Sequence, residues 1–166
     1  MNYIECIGLP GVGKSTFLNV SYKNHVNKYD LFKLYKVCFA VNLFFSIIRI
    51  YGFNNISRIY FSFLHIIQIL TSKSNLVLDQ GIIQIYLSHC SDCNKNVSIR
   101  TLKKMIIFLN KYFITDFIIF DEMSFDEINS RLKSRNKNRC NGISIGFYHH
   151  FVINQTIFKN LLNADD

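Results

Sequence analysis

The sequence predicts an α/β fold of three layers, with a small parallel sheet of at least three strands held between helices. Two observations carry that expectation. Short apolar runs at residues 4–8, 75–79 and 116–121 end in glycine or acidic residues and read as buried strands. Longer stretches with apolar residues at three- and four-residue intervals separate them and read as helices, and strands alternating with helices imply parallel pairing through right-handed crossovers.

The first strand, Ile4 to Gly8, runs into a glycine-rich turn, and a helix is expected from about Lys14. Residues 30–72 repeat Leu, Phe, Ile and Tyr at helical spacing, which predicts two or three helices broken near Gly52 to Asn55 and no strand. A second strand spans Asn75 to Asp79, followed by helices over Ile82–Cys90 and Ser98–Phe113. The third strand, Asp116 to Asp121, leads to Ser124 and Glu127, spaced as a capping box, so a helix should run from there to about Arg135. A last helix is expected over Phe147–Leu162. At 166 residues, 49% of them hydrophobic and 18% charged, the chain suits one folded domain, 1–166.

The net charge of +8 suits an anionic partner such as nucleotide, nucleic acid or an acidic membrane. Lys, Asn and Ile recur along the whole chain, however, so compositional bias explains as much, and no nucleic-acid partner is expected. The most apolar stretch, Val37 to Phe53, is interrupted by Asn42, Ser46, Arg49 and Gly52 and falls short of the roughly 20 apolar residues of a membrane span, so it reads as a buried helix. Five irregularly spaced cysteines and an amino terminus without the plan of a secretion signal predict a reducing, cytoplasmic setting. A homodimer is compatible with these features.

Gly8-Leu9-Pro10-Gly11-Val12-Gly13-Lys14-Ser15 matches G-x-x-x-x-G-K-[ST] and occupies the strand-to-helix turn that this pattern requires. Gly8, Gly11, Val12 and Gly13 would turn their backbone N–H groups around a phosphate, with the following helix adding positive potential. Lys14 would reach the β- and γ-phosphates of ATP, Ser15 would ligate Mg²⁺, and Thr16 would support the loop beside the α-phosphate. Asp79 closes the Leu76-Val77-Leu78 run before Gln80-Gly81 and is expected to hold the metal's water shell; capping of the next helix is the plainer alternative. Arg131, Arg135 and Arg139 recur every four residues, with Asn136, Asn138 and Gly142 as hinge residues, so 131–142 reads as a lid whose arginines close over the γ-phosphate; a solvated basic helix end is the plainer alternative.

The loop at 8–16, the Leu-Val-Leu-Asp-Gln-Gly strand end at 76–81 and the strand-helix-arginine unit at 118–139 together resemble the nucleoside and nucleotide monophosphate kinase group, and within it the thymidylate-kinase-like proteins. The resemblance implies the P-loop NTPase fold and transfer of a phosphoryl group from ATP to a small molecule. Lys14, Asp79, Arg135 and Arg139 would be its catalytic groups, with Ser15 and Asp79 on the metal. The chain departs from that pattern at Gln80, where an arginine is usual, and in 30–72, where a substrate-binding strand is usual. It also departs in lacking a further terminal strand and helix.

No Asp or Glu lies between Asp30 and Asp79, whereas Arg49 and Arg58 do, which leans toward a phosphorylated acceptor needing no base. His65 reads as a core residue rather than a base, and Asn27-Lys28-Tyr29-Asp30 lies too near Lys14 to be a guanine-reading motif. Cys90 and Cys93 have zinc-ligand spacing but need two more ligands, for which Cys140, His149 and His150 are the candidates. The other readings are a nucleotide-binding or slowly hydrolysing protein without a dedicated acceptor, and a membrane-associated interaction protein.

Overall fold

The computed structural model describes residues 2–21, 76–135 and 142–164. The predicted helical region 30–72, with Arg49, Arg58 and His65, lies outside the described residues, as do residues 136–141 with Arg139 and Cys140. In chain order the elements are β1 (Asn2–Ile7), α1 (Lys14–Ser21), β2 (Leu76–Leu78), α2 (Ile82–Asp92), α3 (Ile99–Tyr112), β3 (Ile114–Ile119), α4 (Phe125–Arg135) and α5 (Ile145–Asn163).

The three described strands form one parallel sheet in the order β2-β1-β3, flanked by helices. β1 is central, and Tyr3, Cys6 and Ile7 are buried on it, which is why the strand carries an apolar run rather than a clean alternation. Register pairs Glu5 with Leu78 and Ile7 with Ile119. The chain therefore leaves β1 and β2 at the same carboxyl edge, bringing the turn after Ile7 beside Asp79. β3 begins at Ile114, two residues earlier than the apolar pattern indicated, because its pairing with β1 extends to Asn2.

The helices end where their caps dictate. The Ser98 hydroxyl accepts from Thr101 N–H at the start of α3, and the Ser144 hydroxyl accepts from Phe147 N–H at the start of α5. At α4 only half of the expected capping box forms. Ser124 Oγ accepts from Glu127 N–H at 3.3 Å, while the Glu127 carboxylate turns to Arg131 at 2.9 Å.

The core joins Tyr3 and Ile7 of β1 to Ile83 and Leu87 of α2, Leu102 and Leu109 of α3, and Phe151 and Phe158 of α5. Each such buried side chain contributes roughly 1.5–3 kcal/mol by its removal from water. Asn154, buried on α5, accepts from Val97 N–H at 2.8 Å and donates to Lys95 O and Ser91 Oγ at 3.0 Å, pinning the α2–α3 connection to α5. Gln155 donates to Phe120 O at 2.7 Å and fixes the exit from β3. No helix among the described residues is long and apolar enough to cross a membrane.

Candidate functional site

The turn from Gly8 to Gly13 sits at the carboxyl edge of β1 and feeds directly into α1. Gly11 and Gly13 have φ of 87° and 107°, a backbone region closed to most side chains, so the turn cannot take this shape without glycine at both positions. Among the described residues a Cβ at Gly13 would meet nothing within 4 Å, whereas Leu132 of α4 abuts Gly11.

Lys14 folds back over this turn. Its ammonium donates to Gly8 O at 2.7 Å and Leu9 O at 3.1 Å, and the side chain is only 7% exposed. Burial lowers its pKa, and the nearby Asp79 carboxylate opposes that shift. Beside it, Ser15 Oγ donates to Asp79 Oδ2 at 2.5 Å, across 64 residues of sequence. Asp79 does not cap α2: Gly81 is the N-cap residue and has no side chain to bond there, and the Glu5 carboxylate accepts from the first-turn N–H of Gln84 instead. Two hard oxygen donors of this kind, side by side next to an ammonium group, fit the chemistry of a magnesium site.

A second layer holds the turn in place, and sequence reasoning missed it. Gln84 of α2 makes a two-way amide clamp on Gly8, accepting from Gly8 N–H and donating to Gly8 O, both at 3.0 Å. Gly8 O thus receives both Lys14 and Gln84, so it keeps a partner if the lysine swings away toward a ligand. Behind Gln84, Glu5 is fully buried on β1 and accepts from Gln84 N–H at 2.6 Å and from the Tyr3 hydroxyl at 2.5 Å. The only legible signal was a lone acid inside an otherwise apolar strand.

Burial pushes the Glu5 carboxyl up to about 7, while N–H groups at the start of α2 and the Tyr3 hydroxyl pull the other way. Between the ordinary value of 4.5 and about 7 the folded chain holds a proton that the unfolded chain has released. Stability should therefore fall as pH rises through that window and level off above it, by a total of about 3 kcal/mol. Chemical denaturation of the wild type and of Glu5→Gln across pH 4–8 checks this. The difference between the two should lose its slope above pH 7, and parallel curves throughout would remove Glu5 as the cause.

Other predicted groups fall elsewhere. Thr16 is exposed on α1. Arg131 is half-exposed and ion-paired with Glu127 along α4, which gives it a partner on its own helix. Arg135 is the last residue of α4, the helix whose Leu132 meets the turn, and Arg139 lies outside the described residues. Asn129 of α4 makes a second amide clamp, accepting from Ile143 N–H at 2.8 Å and donating to Ile143 O at 3.4 Å. His89 Nε2 and Cys93 Sγ lie 3.9 Å apart, yet among the described residues no group of three or more His, Cys, Asp or Glu could hold a metal ion.

A cavity of about 480 Å³ opens from Lys14 and Pro10 along α2, closed on its far side by the segment from Gly142 to Phe147. It is large enough for a small molecule beside the turn. Compared with models of protein families, with curated proteins and with solved structures, the chain finds no match.

Proposed function

We propose that this protein belongs to the P-loop nucleotide-binding class, with the three-layer fold of that class, and that the turn at 8–15 holds the phosphates of ATP. Within that class the reading is a small-molecule kinase of the nucleoside and nucleotide kinase type. The single observation carrying it is the convergence of Lys14, Ser15 and Asp79 at the carboxyl edge of two adjacent parallel strands, with a cavity beside them.

In this reading Lys14 releases the Gly8 and Leu9 carbonyls and turns to the β- and γ-phosphate oxygens, while N–H groups of the turn bind the triphosphate from below. Ser15 Oγ and the Asp79 carboxylate would hold Mg²⁺. When bound, the metal supplies neutralisation of the charge on the phosphate oxygens. Arg135 and Arg139 would close over the γ-phosphate. Gln84 keeps the turn shaped through the exchange, because its clamp does not depend on the lysine.

The test is incubation with Mg²⁺, γ-labelled ATP and a panel of nucleosides, nucleoside monophosphates and sugars. Label transferred to an added acceptor supports the kinase. Label found only as free phosphate leaves a nucleotide hydrolase without a dedicated acceptor. For the metal side, Asp79→Asn is expected to weaken ATP binding about 10- to 100-fold with Mg²⁺ present and to change it little in EDTA. Equal losses under both conditions in a fluorescence titration would take Asp79 off the metal.

A further inference from the structure

Glu5 stands where an apolar residue would serve the fold at lower cost. It is fully buried on β1, the central strand, with Tyr3, Cys6 and Ile7 buried beside it. Taking a carboxylate out of water is costly and is tolerated only where enough donors surround it. Here most of them come from one place, the start of α2. The carboxylate accepts from Gln84 N–H at 2.6 Å and from the Tyr3 hydroxyl at 2.5 Å, and the backbone N–H groups of Ile83 and Gly81 hydrogen-bond it as well. Gly81 has no side chain with which to cap α2, so an acid from another element takes the N–H groups that a cap would have satisfied.

The two ends of this N–H row lead to the two halves of the candidate site. Gln84, at one end, is committed through its side-chain amide to Gly8 N–H and Gly8 O, both at 3.0 Å, so the backbone bond to Glu5 sets how far that amide reaches into the turn. Gly81, at the other end, follows Asp79 by two residues, and Asp79 Oδ2 accepts from Ser15 Oγ. Register places Glu5 opposite Leu78, the residue before Asp79. The contact at Gly81 is tight. A Cβ there would lie under 3.0 Å from the Glu5 carboxyl group and the Tyr3 hydroxyl, so the start of α2 rests directly on the carboxylate.

We infer, resting on the nucleotide-binding reading above, that Glu5 is a positioning residue: by gripping the start of α2 it sets the distance between the phosphate turn, held through Gln84, and Asp79, the acid assigned to the metal. Glu5 itself touches neither ligand. A triphosphate and the Mg²⁺ on it need their protein partners held to within about 0.5 Å, and one buried anchor shared by both arms supplies that register. An acid that only stabilised the fold would behave differently. Its loss would lower ATP affinity only through the unfolded fraction, and so by the same factor with and without metal.

The test uses the full-length chain at pH 8. ATP is titrated in the calorimeter with Mg²⁺ or with EDTA, and thermal melting is run beside it. Glu5→Gln keeps the volume but sets an NH₂ group against the N–H row. In EDTA it should raise Kd for ATP about three- to tenfold, a loss that runs through Gln84 alone. In a Gln84→Leu background the same change should then add less than about twofold. With Mg²⁺ the Glu5→Gln loss should grow to about 10- to 100-fold, because Asp79 also leaves its place, and that growth should vanish in an Asp79→Asn background.

An equal loss with and without Mg²⁺ makes Glu5 a structural acid and overturns the inference, as does a loss that persists in full when residue 84 is already leucine. Tyr3→Phe removes the hydroxyl from which the carboxylate accepts and leaves the ring on Phe113. It should show the same pattern at smaller size, and it decides the matter if Glu5→Gln does not fold. Wild-type protein that binds ATP, with every variant binding it equally well, overturns the inference and leaves the nucleotide reading standing. Wild-type protein that binds no ATP in either medium overturns both.

Discussion

Lys14→Ala is expected to weaken ATP binding about 30- to several-thousand-fold while leaving the fold assembled. Lys14 is 7% exposed and its ammonium group is held by two carbonyls of the turn, so it has already given up much of its water before any ligand arrives. Removing one partner of such a desolvated charge pair typically costs about 2–5 kcal/mol of binding. Folding should suffer far less. Gly8 O keeps its bond from Gln84, and the variant no longer has to bury a cation. Calorimetry with Mg²⁺ and ATP measures the first effect and thermal melting followed by circular dichroism the second. Unchanged affinity in a folded variant would defeat the assignment of the turn.

Gly81→Ala is expected to be the most damaging single methyl group in the described structure, at about 4 kcal/mol or more of folding stability. A Cβ there would lie under 3.0 Å from the Glu5 carboxyl carbon, one of its oxygens and the Tyr3 hydroxyl oxygen. None can retreat. Glu5 and Tyr3 are fully buried, and Tyr3 packs on Phe113 with ring centroids 5.8 Å apart. For a chain of this size that loss lowers Tm by roughly 8–16 °C. Adding Glu5→Ala opens space for the methyl group, so the double variant should be less destabilised than the two single losses summed. Strict additivity would show that the clash lies elsewhere.

The glycine-rich turn was legible because its residues are contiguous: eight adjacent residues supply the glycines, the lysine and the hydroxyl, and the apolar run before them marks the strand. Asp79 was legible because it closes a second such run, and parallel pairing of β1 with β2 brings it to Ser15. Strand and helix boundaries came within a few residues wherever a cap or an acid marked them, as at Ser98 and Ser124. Arg131, on the segment read as a lid, pairs with Glu127, an i,i+4 acid on the same helix face.

The supporting shell was not legible. Glu5 and Gln84 are 79 residues apart, and only the packing of the start of α2 against β1 brings the Gln84 backbone N–H to the buried carboxylate and the Gln84 amide to Gly8. The stripe of Gln84, Ser88 and Asp92 has helical spacing in the sequence, but the same spacing serves a solvated face equally well. Packing of the opposite face into the core, with Phe147 across the gap, makes it the wall of a cavity. The sequence by itself determined the local features: the glycine turn, the lysine and hydroxyl beside it, the strand runs and the helix starts. These depend on backbone angles and residues within a few positions of one another. Tertiary structure alone decided which distant polar groups meet away from water, because a buried acid or amide finds its partners only after the elements carrying them have packed.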